Sequence, residues 1–89
     1  MSRPEAVDAA VFLAEIGQRV ARLREDRGWT QVELGARAGV PASAIGTVER
    51  GRGSVDVVRL WRITRGLGVP MVDVLPDAGL VRPVRGPLT

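Results

Sequence analysis

The side chains of this sequence that could take part in chemistry are arginines, carboxylates and hydroxyls. The 89 residues contain no histidine, cysteine, tyrosine, lysine or asparagine, so all thirteen basic residues are arginines. Thiolate or imidazole metal sites, cysteine nucleophiles, histidine bases and disulfides are therefore excluded. The ten acidic residues show no paired-carboxylate pattern. We expect no enzyme activity, no catalytic residue, no bound metal and no cofactor.

The charge balance is compatible with an anionic partner but does not demand one. Thirteen arginines against ten acids leave a net charge of +3, which permits nucleic-acid binding. The N-terminal segment has acidic residues inside its apolar stretch, and no uncharged run approaches the roughly 20 residues of a membrane span. The sequence therefore predicts a cytoplasmic protein, not a membrane protein, and its 45% apolar content predicts one small domain.

The elements that must position these side chains are predicted to be helices. Apolar residues recur at helical spacing over 4–27, where a glycine ends the pattern. Thr30 followed by Glu33 is a capping box, so a second helix is expected to begin at Gln31. Gly39 is expected to end that helix because glycine adopts the left-handed conformation without strain.

Three further helices are predicted, which makes the fold class all-α. The third begins with Pro41 in its first turn and ends at Gly51. Asp56 is the expected N-cap of the fourth, and a short fifth helix is expected over 71–75. The segment 77–89 is rich in proline and glycine and has no helical period, so it is predicted to be a tail or extended arm.

Residues 16–75 carry a helix-turn-helix pattern. Its positions in register are Gln31, Leu34, Ala38, Gly39, Val40, Ile45 and Val48, followed by Glu-Arg-Gly and an apolar helix that ends in leucine, glycine and valine. The pattern resembles the five-helix DNA-binding domain of the phage-repressor and Cro (XRE) family. The resemblance implies the DNA-binding domain at 15–76. Outside it, 1–14 is predicted to be an N-terminal helical extension, which either lengthens the first helix or adds to the interface, and 77–89 is the tail.

The resemblance also implies how the recognition helix, the third, is held. A helix that enters the major groove must be kept at a fixed angle by its neighbours. In the family, residues at the positions of Arg24 and Glu49 form an ion pair between the first helix and the end of the recognition helix. The alternative is that both are solvated surface charges, which contribute almost nothing to stability.

Residue roles at the DNA are implied in the same way. The base-edge readers would be Ala42, Ser43, Gly46 and Thr47, and the phosphate contacts would come from Gln31, Ser43, Arg50 and Arg52. Ala42 and Thr47 stand where the family commonly has glutamine and a basic residue, so bidentate contacts from these positions are unavailable. Specificity is then expected to depend on DNA shape and on Arg50 or Arg52 reaching phosphates or a narrow minor groove. The alternative for the two arginines is a solvated loop.

Gly46 is unusual inside a helix because glycine there costs about 1 kcal/mol relative to alanine. Two explanations stay open. Either the helix backbone approaches DNA closely at this position, or the glycine is simply tolerated on an exposed face.

A second surface is predicted from apolar or bulky residues at places where the family has polar or smaller ones. Val58, Trp61 and Val72 are predicted to form a homodimer or partner surface, joined by three tail residues: Leu80, Val81 and Val84. Dimers of the family often form through this end, which places two recognition helices about 34 Å apart.

The sequence therefore predicts a DNA-binding transcriptional regulator, most simply a repressor that blocks a promoter by occupancy. It would bind double-stranded DNA as a homodimer, with the helix at 41–50 in the major groove. The alternative is a protein-interaction module on the same fold, antitoxin-like or regulator-binding, with weak or lost DNA reading and a partner bound through helices four and five. The lack of bidentate side chains at Ala42, Gly46 and Thr47 favours this alternative, whereas the loop with Arg50 and Arg52 favours DNA binding.

Overall fold

The computed structural model describes residues 4–76, with side chains described from Asp8 onward. Its elements are α1 (Pro4–Asp26), α2 (Gln31–Ala38), α3 (Ala42–Glu49), α4 (Val57–Leu67) and a 3-10 helix (Met71–Val74). No strand occurs in this range, which confirms the all-α class. None of these helices is long and apolar enough to cross a membrane. The predicted tail at 77–89, with Leu80, Val81 and Val84, lies outside the described residues.

Two predicted elements need correction. The fifth helix is not an α-helix but a single 3-10 turn, because prolines at 70 and 76 leave room for only about one turn between them. Pro41 is the N-cap residue of α3 with an extended backbone (ψ 150°), so the helix begins one residue later than predicted. Since α1 is continuous through residue 14, the division of the chain into 1–14 and 15–76 stays a prediction.

The turn between α2 and α3 follows from local sequence chemistry. The Thr30 hydroxyl accepts a hydrogen bond from the Glu33 N–H at 3.0 Å, and the Glu33 carboxylate accepts one from the Thr30 N–H at 2.7 Å. The predicted capping box is thus confirmed. Gly39 ends α2 at φ 74°, a conformation that side-chain-bearing residues rarely adopt, and its N–H donates to the Gly35 carbonyl at 2.8 Å.

One apolar core lies between the four helices. α3 packs against α1 and α2, and α4 packs against α2. The most deeply buried apolar side chains come from every helix and from the 3-10 turn: Ile16, Val20, Leu34, Ile45, Ile63 and Val74. Each buried side chain of this size contributes about 1.5–3 kcal/mol. The position of α3 is therefore set by packing from two sides.

Candidate nucleic-acid interface

α3 has one face in the core and one face toward solvent. Ile45 and Val48 are buried against the neighbouring helices. Ser43 and Thr47 are exposed on the opposite side, and Ala42 is half-buried at the start of the helix. The Thr47 hydroxyl donates to the Ser43 carbonyl at 3.0 Å. This solvent-facing side presents few polar side-chain groups, as the sequence suggests.

The C-terminal end of α3 is tied to α1 by a bidentate ion pair. Arg24 Nε donates to Glu49 Oε2 at 2.6 Å, and Arg24 Nη2 donates to Glu49 Oε1 at 3.0 Å. The side chains are only 13% and 7% exposed, and hydrogen bonding to Glu49 raises the pKa of the Arg24 guanidinium above its usual value. Two parallel charge-assisted bonds fix both distance and angle. The structure therefore brings together the two residues that the family resemblance paired.

Two more hydrogen bonds extend this network to α2 and to the loop before it. Arg24 Nη1 donates to the Trp29 carbonyl at 2.7 Å, and Gln31 Nε2 donates to Glu49 Oε1 at 2.9 Å. Gln31 is predicted to contact DNA phosphate, and one of its two amide N–H groups is thus already bonded to Glu49. Every buried side-chain nitrogen and oxygen within residues 8–76 has a hydrogen-bond partner. The network therefore leaves no buried polar group unpaired where α1 meets the end of α3.

Gly17 of α1 is a positioning residue that reasoning from the sequence missed. A Cβ at this position would collide with the backbone carbonyl of Val48 and would lie 2.6 Å from that of Glu49. Close-packed interiors do not accommodate such an approach. Glycine therefore allows α1 to lie directly against the last turn of α3. The only signal in the sequence is a glycine inside an otherwise continuous helical pattern.

Gly46 lies on the solvent-facing side of α3 but is itself buried. Its cover consists of two side chains: a Cβ on Gly46 would lie 3.0 Å from Arg50 Nη1 and 3.3 Å from Gln31 Oε1. We call the space left by the missing side chain the Gly46 slot. The position is therefore not on a bare exposed face, because two flexible side chains cover it. Close approach to DNA stays a prediction.

Arg50 and Arg52 are both exposed just after α3. The ion pairs formed within the described part of the chain involve Arg19 and Arg24 and leave both of these arginines uncompensated. Arg50 is the C-cap residue, and its N–H donates to the Gly46 carbonyl at 3.0 Å. Gly51 then turns the chain at φ 67° before Arg52. Arg50 thus continues the helix surface, whereas Arg52 lies beyond it.

The predicted partner surface is exposed in the structure. Val58 is 53% exposed, Trp61 49% and Val72 67%. Val58 and Trp61 are three residues apart on α4 and share one face. Trp61 lines a shallow groove with Met71, and the Arg65 guanidinium lies 5.2 Å from the Trp61 ring centroid. Exposed apolar side chains are therefore present on α4 and on the 3-10 turn, while the predicted tail portion of the surface lies outside the described residues.

Comparisons with known proteins agree on the kind of domain. A family model described as "Helix-turn-helix domain" matches residues 15–76. The uncharacterised HTH-type transcriptional regulator y4dJ of Sinorhizobium fredii is 37% identical over 60 residues, which cover 67% of this chain and 78% of that protein. The immunity repressor protein of Bacillus phage phi105 is 27% identical over 67 residues; the match covers 75% of this chain but only 46% of the repressor.

The fold is also found in solved structures. The restriction-modification controller protein C.AhdI from Aeromonas hydrophila superposes with a TM-score of 0.68 at 30% identity, covering 71% of this chain and 96% of that one. The clp gene regulator ClgR from C. glutamicum superposes with a TM-score of 0.64 at 29% identity, covering 70% and 80%.

Proposed function

The chain belongs to the helix-turn-helix domain family of DNA-binding transcriptional regulators, and on that premise we propose that it is a homodimeric repressor. In this proposal α3 lies in the major groove of operator DNA, and bound protein blocks a promoter by occupancy. Ala42, Ser43 and Thr47 face the bases. Repression requires no catalytic residue, metal or cofactor, and we place the protein in the cytoplasm.

One observation carries the proposal: the inner side of α3 is held by α1 and α2, while its outer side and the two arginines after it are open to solvent. The Arg24–Glu49 pair and Gly17 fix the helix against α1. The charges of Arg50 and Arg52 are not neutralised by any described acidic side chain. A rigid helix with adjacent uncompensated positive charge suits a groove lined by phosphates.

Dimerisation is supported by the exposed apolar surface on α4 and the 3-10 turn. Val58, Trp61 and Val72 are each about half exposed or more, and a tryptophan with aliphatic neighbours is typical of an interface centre. A symmetric dimer would present two copies of α3 to half-sites about 34 Å apart. Trp61→Arg is expected to convert dimer to monomer in sedimentation equilibrium and to weaken binding to an inverted repeat.

Selection of binding sites from random duplex DNA tests the proposal directly. We expect enrichment of an inverted repeat, with an affinity that falls steeply as the salt concentration rises, because bound arginines release condensed counterions. Reversal of Arg50 and Arg52 to glutamate should abolish binding and leave the thermal unfolding transition in place. The matched control is Arg62→Glu, an equally exposed arginine on α4, which should retain sequence-selective binding.

The second candidate function is a protein-interaction module, which the exposure of Val58 and Trp61 favours. This candidate predicts no duplex binding by the wild-type chain even at low salt. It also predicts that Trp61→Arg removes the interaction with the partner, whereas reversal of Arg50 and Arg52 does not. The DNA selection and the two sets of variants therefore separate the two candidates.

A further inference from the structure

The Arg50 side chain lies on the solvent-facing side of α3 and leans back over Gly46. Residues four apart stack on one helix face, and side chains tilt toward the N-terminus of the helix. The structure follows this rule, since Arg50 Nη1 lies 3.0 Å from the position that a Cβ on Gly46 would take. The guanidinium of Arg50 therefore lies alongside α3 over Gly46 and does not extend away beyond the helix end.

Gln31 forms the other wall of the Gly46 slot. Its Nε2 donates to Glu49, so its Oε1 faces away from that carboxylate and toward the slot, 3.3 Å from the same Cβ position. An amide oxygen at this edge is a favourable neighbour for a guanidinium. Gln31 in turn is held by Glu49, which is held by Arg24. A continuous polar chain therefore runs from α1 to the slot in which Arg50 lies.

We infer that Arg50 is the principal base-reading residue of this protein and that it recognises a guanine in the major groove. The inference rests on the proposed function, because it assigns a role within DNA binding. The planar guanidinium fork matches the N7 and O6 acceptors of guanine, and this bidentate contact is the commonest base-specific contact in the major groove. It supplies the reading chemistry that Ala42 and Thr47 lack.

The structure separates Arg50 from Arg52 in this respect. Arg50 is the C-cap residue with αR backbone, and its guanidinium lies over Gly46 of α3. The Arg52 N–H still donates to the Thr47 carbonyl at 3.2 Å, but Arg52 follows Gly51, whose φ of 67° turns the chain out of the helix. The two arginines carry the same charge and are both exposed, but their geometry differs. Arg52 is left to contact the DNA backbone, which gives affinity but no direct sequence information.

The experiment compares Arg50→Ala with Arg52→Ala, using the duplex that the wild-type chain selects from random DNA. We expect a guanine in each half-site, and we expect Arg50→Ala to lose most of the preference for it, roughly tenfold to a hundredfold between guanine and the other bases. Arg52→Ala should weaken binding to all sequences to a similar extent and retain the preference. If both variants weaken binding uniformly and both retain the guanine, the inference is wrong.

A change in the DNA locates the contact at the base edge. Replacement of the selected guanine by 7-deazaguanine removes the N7 acceptor and leaves Watson–Crick pairing intact. We expect this replacement to weaken wild-type binding several-fold and to have no effect on Arg50→Ala. Equal weakening of both proteins would show that another group reads the base, which also overturns the inference. Circular dichroism melts of both variants establish that the fold is retained.

Failure of this inference is distinguishable from failure of the proposed function. If the wild-type chain selects no DNA sequence, the proposed function and the inference fail together. If it selects an inverted repeat whose guanine preference survives in Arg50→Ala, the protein is a DNA-binding regulator and only the role of Arg50 is wrong.

Discussion

The eight residues of α3 are divided between an inner side and an outer side, and the two sides have different surroundings. On the inner side, Ile45 and Val48 are buried in the core, and Glu49 at the helix end accepts hydrogen bonds from α1 and α2. On the outer side, Ser43 and Thr47 are exposed, and the one buried position is a glycine covered by Arg50 and Gln31. Rigidity and recognition are thus divided between two sides of one short helix.

This division means that substitutions on the two sides should affect different measurements. Inner-side changes should alter the free energy of unfolding. Outer-side changes should alter DNA binding and leave stability nearly unchanged, because exposed substitutions away from special features usually stay within about 0.5 kcal/mol.

The largest expected effect is on the apolar core. Ile45 has none of its surface exposed, so Ile45→Ala should lower the free energy of unfolding by about 4 kcal/mol through lost burial and a residual cavity. Urea denaturation monitored by circular dichroism measures the change. Thr47→Ala, two residues away on the outer side, is the control and should change stability by less than about 0.5 kcal/mol. Equal destabilisation by both variants would contradict the division.

The second largest effect is expected for the ion pair between Arg24 and Glu49. Glu49→Ala leaves the Arg24 guanidinium mostly buried with only the Trp29 carbonyl and the exposed Glu25 nearby. We expect a loss of about 3 kcal/mol in urea denaturation, because the remaining charge is desolvated without its partner. The double variant Arg24→Met with Glu49→Leu should lose less than Glu49→Ala alone. A double variant that loses the sum of two single losses would mean that the two residues act independently.

Alanine substitutions at Gly17 and Gly46 are expected to change stability in opposite directions. Gly17→Ala brings a Cβ against backbone carbonyls of α3 that cannot move alone, so we expect a loss of about 2 kcal/mol from overpacking. Gly46→Ala meets only the ends of two flexible side chains and should gain up to about 1 kcal/mol from helix propensity. Thermal melts of the two variants should therefore shift in opposite directions from the wild type. A shift in the same direction would contradict the contacts that we assign to one of these glycines.

Local sequence signals were sufficient for both ends of α2. The Thr30 and Glu33 box and the left-handed Gly39 depend on residues within one turn of each other, so the sequence specifies them directly. Arg24 and Glu49 are 25 residues apart, and only the family resemblance paired them. Proximity over that distance depends on how α1 crosses α3, which spacing alone does not specify.

What the sequence did not indicate was contact between elements. The roles of Gly17 and Gly46 depend on which atoms of another helix or side chain lie within about 3 Å, a quantity set by the packing of the whole domain. The 3-10 geometry at Met71–Val74 was missed for a different reason. The apolar residues of this segment fit either helix type, and the prolines at 70 and 76 leave room for only about one turn.

The smallest expected effect concerns Thr30, the N-cap residue of α2, which directly precedes Gln31. Thr30→Ala removes the hydroxyl that accepts from the Glu33 N–H, and loss of an N-cap costs about 1 kcal/mol. A thermal melt measures this loss, and Thr30→Ser, which keeps an acceptor in the same place, should restore most of it. Because Gln31 connects the Glu49 network to the Gly46 slot, Thr30→Ala should also weaken selective DNA binding more than Thr30→Ser does. Loss of stability without any loss of selectivity would show that the outer side of α3 is organised independently of the start of α2.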